Sequence, residues 1–185
     1  MTKLDRIASR VTCFTAENIN TDQIIPARFL KRIDKVGFGD HLFADLKPAE
    51  VCEVPDARSR QILLAGPNFG CGSSREHAVW AIRDFGFRVL ISTSFADIFK
   101  ENSLKNGVLT IDLDEPTHRG LVETFRKNPE AEMSVDLTEQ RLQYGGVQAA
   151  FTVNSFSRTC LLEGLDELGY ILRYEPQIAA FERSR

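Results

Sequence analysis

Between residues 70 and 77 the chain reads Gly-Cys-Gly-Ser-Ser-Arg-Glu-His, the stretch of this sequence in which groups capable of chemistry are most concentrated. Glycines let a backbone take turn conformations closed to other residues and come close to a ligand. Ser73 lies three residues before Glu76, the spacing of a capping box, so Ser73 is expected to be the N-cap of a helix. Capping is the common use of that pattern, and three features add an anion site to it. A helix N-terminus attracts anions. Arg75 carries a planar, permanently charged fork suited to a carboxylate. The serines also follow an apolar run that reads as a strand, where α/β sheets place their ligands. These features support anion binding; they do not by themselves specify a reaction.

Rival chemistries fit less well. A nucleophile elbow needs Gly-x-Ser-x-Gly, and Gly72-Ser-Ser-Arg-Glu76 does not supply it. His77 follows Ser73 by only four residues, a poor basis for a catalytic triad. Gly70 and Gly72 lack the third glycine of a dinucleotide fingerprint, and no lysine-containing phosphate loop is present. His41 and His118 stand among polar neighbours and are expected at the surface. Cys13, Cys52, Cys71 and Cys160 are scattered without Cys-x-x-Cys spacing, so they are expected as reduced, mostly buried thiols.

The elements that must position this segment are legible on either side of it. Val11–Phe14 and the residues just before it read as a strand, and Asn18–Asp22 carries turn chemistry. Ile62–Ala65, Val89–Ser92 and Val108–Ile111 are short apolar runs, expected as buried strands. Helices are expected over Arg75–Phe85, ended by Gly86, and over Phe95–Asn106, ended by Gly107. This alternation predicts a parallel α/β core. A further helix is expected over Thr117–Lys127, then short strands between Met133 and Val153 with a hairpin at Tyr144-Gly-Gly-Val147. Leu161, Leu162, Leu165 and Leu168 follow helical spacing up to Gly169. Between Lys31 and Asp40, two glycines among charges read as an exposed, mobile loop. Without repeats or linkers, residues 1–185 are expected to form one α/β domain with added β structure.

The chain is 43% hydrophobic and 26% charged, with a net charge of −3. That is enough apolar material for a core, and it gives no field that would select nucleic acid or an anionic membrane. No apolar run approaches the roughly 20 residues needed to span a bilayer, and the N-terminus lacks an apolar signal core. A cytoplasmic protein is expected.

Asn68-Phe-Gly-Cys-Gly-Ser-Ser-Arg-Glu-His-Ala78 resembles the signature of the swivelling domain of the aconitase family, most closely that of the separate small subunits of 3-isopropylmalate dehydratases. Asn20-Thr-Asp-Gln-Ile-Ile-Pro-Ala-Arg-Phe-Leu30 resembles their N-terminal motif. Ser94–Phe99, Lys105–Leu109 and Cys160–Asp166 resemble the following helix, strand and C-terminal helix. The resemblance covers nearly the whole chain and implies a single swivelling β/β/α domain of the aconitase C-terminal type.

By this resemblance, the chain works with a large iron–sulfur subunit, in a heterodimer or higher assembly. The partner's three cysteines hold a [4Fe–4S] cluster, and this chain alone holds none and is silent without it. The implied reaction removes water from 2-isopropylmalate and re-adds it to give 3-isopropylmalate, in leucine biosynthesis. Ser73 matches the serine whose alkoxide abstracts the proton next to a carboxylate; Ser74 and Arg75 match residues that grip substrate carboxylates. Helix N–H groups and Arg75 would supply the positive potential such an alkoxide needs. Asp22, an Asx-turn residue by composition, is implied to support active-site arginines; Arg28 in the same motif is a supporting candidate, although its other reading is a solvated surface charge. Arg32 falls near a substrate-binding arginine of longer aconitases, although isolated arginines are usually solvated. The Lys31–Asp40 loop is where relatives differ by substrate, and Val36 and Phe38 could meet an isopropyl group. Sister hydro-lyases acting on homoaconitate, citraconate or dimethylmalate share these motifs. A non-catalytic module holding an anion or a partner is the reading from a different class.

Overall fold

The computed structural model of the chain describes residues 1–30, 36–46 and 57–184. Its centre is a seven-stranded sheet in the order β4-β3-β2-β1-β5-β6-β7. The strands are β1 (Arg6–Phe14), β2 (Ile62–Ala65), β3 (Val89–Ser92), β4 (Leu109–Asp112), β5 (Glu132–Asp136), β6 (Arg141–Tyr144) and β7 (Val147–Ala150). Strand β1 serves two partners. Arg6–Arg10 pair antiparallel with β5, and Val11–Phe14 pair parallel with β2. Its sequence changes character at the same place. The first half keeps exposed positions, whereas Val11, Thr12, Cys13 and Phe14 are all buried, as expected where helices cover both faces of a parallel sheet.

The parallel half, β1 to β4, carries the expected alternation with helices. Alternate residues of β2 feed opposite cores. Ile62 and Leu64 pack with Leu121, Val122 and Phe125 of helix α4 (Glu115–Lys127). Leu63 and Ala65 pack with Ala78, Val79 and Ile82 of α2 (Glu76–Phe85). Between them in sequence lies α3 (Asp97–Lys105), and ahead of them the single turn α1 (Thr21–Ile24). The antiparallel half closes with the expected hairpin: Tyr144 pairs with Val147, and Gly145 takes φ +55 between them. Among the described residues, no helix is long and apolar enough to cross a membrane.

Three expectations are corrected and one helix is added. The helix expected through Leu168 stops at α5 (Ser155–Glu163), because Gly164 takes a left-handed φ of 73; Asp166 then caps a separate α6 (Glu167–Leu172), with Gly169 inside it. A further helix, α7 (Glu175–Arg183), is formed almost wholly by exposed residues. His118 is buried rather than superficial, its Nε2 lying 2.8 Å from the carbonyl oxygen of Ala65. Phe38 is 0% exposed, packed edge-on to His77 and near Trp80, so it offers nothing to a ligand; Val36, 69% exposed, still can. Cys13 and Cys160 are buried free thiols and Cys71 is a half-buried one; Cys52 lies outside the described residues.

Candidate active site

The Gly66–Arg75 segment leaves the C-terminal end of β2 and reaches α2 through two glycine-dependent turns. Gly70 has φ +79, and a Cβ there would lie 2.1 Å from the Phe99 ring. Gly72 has φ +93 and passes Asn20 at a distance that leaves a Cβ only 3.3 Å from the Asn20 Cβ. Both conformations favour glycine strongly. They throw Ser73 and Ser74 outward as exposed residues. The serines and the start of α3 (Ala96–Phe99) together line a cleft of about 230 Å³.

The expected capping box is not formed. Arg75, not Ser73, is the N-cap of α2, and no side-chain cap hydrogen bond closes that end. The Glu76 carboxylate instead accepts from Asn106 Nδ2 at 2.7 Å, and Asn106 Oδ1 accepts from Trp80 Nε1 at 3.2 Å. Glu76 thus ties α2 to the end of α3. Ser73 contributes its carbonyl, accepting from Arg75 N at 2.7 Å, and its hydroxyl is left out of the helix start. His77 packs on Trp80, with ring centroids 4.4 Å apart, and among the described residues no hydrogen bond joins it to Ser73.

A second segment braces the loop. Gly70 N donates to Ile19 O at 2.8 Å and Thr21 N to Cys71 O at 2.9 Å, a strand-like pairing of the N-terminal motif with the serine loop. Asn20 caps α1 in a full capping box with Gln23, so the turn chemistry expected for Asn18–Asp22 takes helical form. Asp22 is thereby held where its carboxylate pairs with the Arg75 guanidinium. Ser73, Ser74, Arg75 and Asp22 therefore lie together.

Arg28 takes another direction. Its guanidinium donates two hydrogen bonds to Asp45, at 2.7 and 2.5 Å, and lies 4.5 Å from the centroid of the Phe29 ring. That pairing raises the Arg28 pKa and holds the Asp45 carboxyl below the usual carboxylate range. His41 stacks on Phe29 as well, at 3.9 Å. Arg32 lies outside the described residues. Thr21 is a member of this site that the sequence does not single out: its hydroxyl donates to Ser73 O at 3.1 Å. The available signal was only its place inside the Asn20–Asp22 motif.

The groups collected here are hydroxyls, a guanidinium and a carboxylate that accepts from it, a set suited to binding a substrate carboxylate and to proton transfer. Among the described residues, no three His, Cys, Asp or Glu side chains come together as a group that could hold a metal ion. Cys71, the thiol nearest the serines in sequence, directs its Sγ to Asn18 O at 3.3 Å.

The chain is similar to known proteins over nearly its full length. The profile of the aconitase C-terminal domain matches residues 1–116. The 3-isopropylmalate dehydratase small subunit of Rubrobacter xylanophilus is 50% identical over 170 residues, covering 91% of this chain and 87% of that protein. The corresponding protein of Solibacter usitatus is 51% identical, with 95% and 91% covered, and that of Herpetosiphon aurantiacus 48% identical, with 100% and 95% covered. The crystal structure of a 3-isopropylmalate dehydratase, LeuD, from Methanocaldococcus jannaschii superposes with a TM-score of 0.71 at 25% identity, covering 96% of this chain and 99% of that one. A capping reading of the serines alone gives no account of this agreement, and the chain belongs to the aconitase family as one of its 3-isopropylmalate dehydratase small subunits.

Proposed function

We propose that this chain supplies the proton-transfer and carboxylate-binding half of a 3-isopropylmalate dehydratase, with Ser73 as the base and Ser74 and Arg75 as carboxylate ligands. The observation that carries this reading is the geometry of the serine loop: Ser73 is exposed and lines a cleft, its side chain does not cap the helix, and it lies next to an arginine braced by Asp22.

Dehydration of 2-isopropylmalate breaks a C–H bond next to one carboxylate and a C–O bond on the neighbouring carbon. Ser73 Oγ, as the alkoxide, takes the proton while the electron pair of the C–H bond forms the alkene and hydroxide departs. Rehydration runs the sequence in reverse with the hydroxyl placed on the other carbon, which requires one group to hold and return the proton. An unassisted serine hydroxyl is a weak acid, so its alkoxide needs a positive surrounding. Arg75 and the unbonded N–H groups at the start of α2 provide that positive potential. The Arg75 fork can hold a substrate carboxylate by two parallel hydrogen bonds, with Asp22 fixing its plane.

By the family resemblance, the division of labour is with a large subunit that would carry the [4Fe–4S] cluster. When bound, that cluster supplies Lewis acidity for departure of the hydroxide. Arg28, paired with Asp45, and Arg32 remain supporting and substrate-binding candidates by resemblance. A cytoplasmic place in leucine biosynthesis follows from the same reading.

The test is isomerase activity of the anaerobically reconstituted two-subunit complex on 2-isopropylmalate, wild type against Ser73→Ala. A fall of about 100-fold or more in kcat, with assembly intact, supports Ser73 as the base. Activity retained by the variant removes that assignment.

A further inference from the structure

We propose that Thr21 is a positioning residue for the reaction: its hydroxyl holds the Ser73 peptide so that the Ser73 hydroxyl faces the cleft. This rests on the reading of Ser73 as the base.

Thr21 is 1% exposed, and both of its polar donors are directed at the serine loop. The backbone pairing between the two segments runs from Gly70 N–Ile19 O to Thr21 N–Cys71 O. At Gly72, with φ +93, the loop turns off that pairing. The Thr21 hydroxyl spans the turn, donating to Ser73 O at 3.1 Å. The same carbonyl accepts from Arg75 N at 2.7 Å. Two donors from different segments therefore fix the plane of the Ser73–Ser74 peptide.

Among the described residues, no hydrogen bond holds the Ser73 side chain itself. Its direction is then set by the backbone on which it stands. Glycines precede it at 70 and 72, and a loop with that freedom holds one conformation only where outside contacts over-determine it. The Thr21 hydroxyl is the side-chain contact made directly to Ser73, whereas Asp22 acts two residues further on, at Arg75. A displacement of the reacting oxygen by about 1 Å can cost on the order of 100-fold in rate.

The experiment compares Thr21→Val and Thr21→Ser in the reconstituted complex, each also in the Ser73→Ala background, with amide hydrogen exchange read on the small chain. Valine keeps the shape of threonine and removes the donor; serine keeps the donor. The expected result is a kcat about 10- to 100-fold lower for Thr21→Val with KM within about twofold. Most activity should return in Thr21→Ser. Amides of residues 73–76 should exchange faster in Thr21→Val. In the Ser73→Ala background, Thr21→Val should lower the residual rate no further, because residues acting as one unit are not additive.

Four results overturn the proposal: a Thr21→Val kcat near wild type, no rescue by serine, unchanged exchange at 73–76, or an additive loss in the double variant. An active Ser73→Ala enzyme would remove the base assignment and this proposal with it. An inactive Ser73→Ala beside a fully active Thr21→Val removes the Thr21 role alone.

Discussion

Asp22 and Arg75 stand 53 residues apart in the chain, yet their side chains form an ion pair that joins the N-terminal motif to the end of the serine loop. Both are partly solvent-exposed, so the pair adds little to stability; its consequence is the fixed plane of the guanidinium. Asp22→Asn keeps the shape and loses the charge. The expected outcome is a KM for 2-isopropylmalate raised about tenfold, the scale of one weakened charge-assisted contact, with a nearly unchanged melting temperature. Steady-state kinetics and a thermal melt on the same preparation check both parts. An unchanged KM would mean that Arg75 does not meet substrate.

Gly70 is the point where the loop passes the face of Phe99. A methyl group there collides with a ring that is itself buried, at a φ of +79. Gly70→Ala should cost about 2–4 kcal/mol, the sum of overpacking and left-handed strain, read as a lower urea midpoint at constant slope. Adding Phe99→Leu should return part of that loss by making room. A Gly70→Ala protein as stable as wild type would show that the loop has another route past α3.

Much of this architecture is written in local pattern. The short, mainly apolar runs at β2, β3 and β4 can be read as buried parallel strands because both faces are covered, and Tyr144-Gly-Gly-Val147 announces its hairpin by turn chemistry. The span of α2 was legible to within one residue, but its cap was not, because Glu76 is drawn away from Ser73 by Asn106, a contact across 30 residues that no local spacing reports. His118 looked superficial beside polar neighbours, although Leu121, Val122 and Phe125 follow it at helical intervals on the same buried face. The break at Gly164 had a signal in the Asp166 cap three residues before Gly169, which the leucine spacing outweighed. Helix α7 has no buried residue, hence no amphipathic burial to betray it. Of the site, the serine loop was readable from its glycines; the Thr21 hydroxyl was not, because its acceptor lies 52 residues away.

Arg60 is the charged side chain most deeply placed among the described residues, 0% exposed where β1, β2 and the turn before β5 meet. It donates to Val11 O at 2.7 Å, Pro129 O at 2.9 Å and Glu130 Oε1 at 2.7 Å. Replacing it by Met fills similar volume but leaves two carbonyls without that donor. Arg60→Met should therefore lower stability by about 2–4 kcal/mol, mostly from unsatisfied acceptors. Glu130→Gln should do much less, since Glu130 faces solvent. Denaturant titration of the two variants checks the ordering, and equal losses would place the stabilisation in the ion pair rather than in the carbonyls.

His118 gives the fold a pH dependence whose sign can be stated. Burial pushes its imidazole below the ordinary 6.5, partly opposed by the contact with Ala65 O. Below pH 6.5 the unfolded chain then binds the proton more readily than the folded one, so this residue's contribution makes stability fall as pH drops toward the folded value. One such group tilts the curve by at most about 1.4 kcal/mol per pH unit. His118→Gln retains an N–H donor of similar reach for the Ala65 carbonyl and cannot titrate. Urea midpoints between pH 7.5 and 5 should therefore decline less steeply in the variant than in the wild type, while the two agree most closely at the upper end. Parallel curves would mean that His118 titrates alike in the folded and unfolded chain, and that the acid sensitivity of the fold lies with other groups.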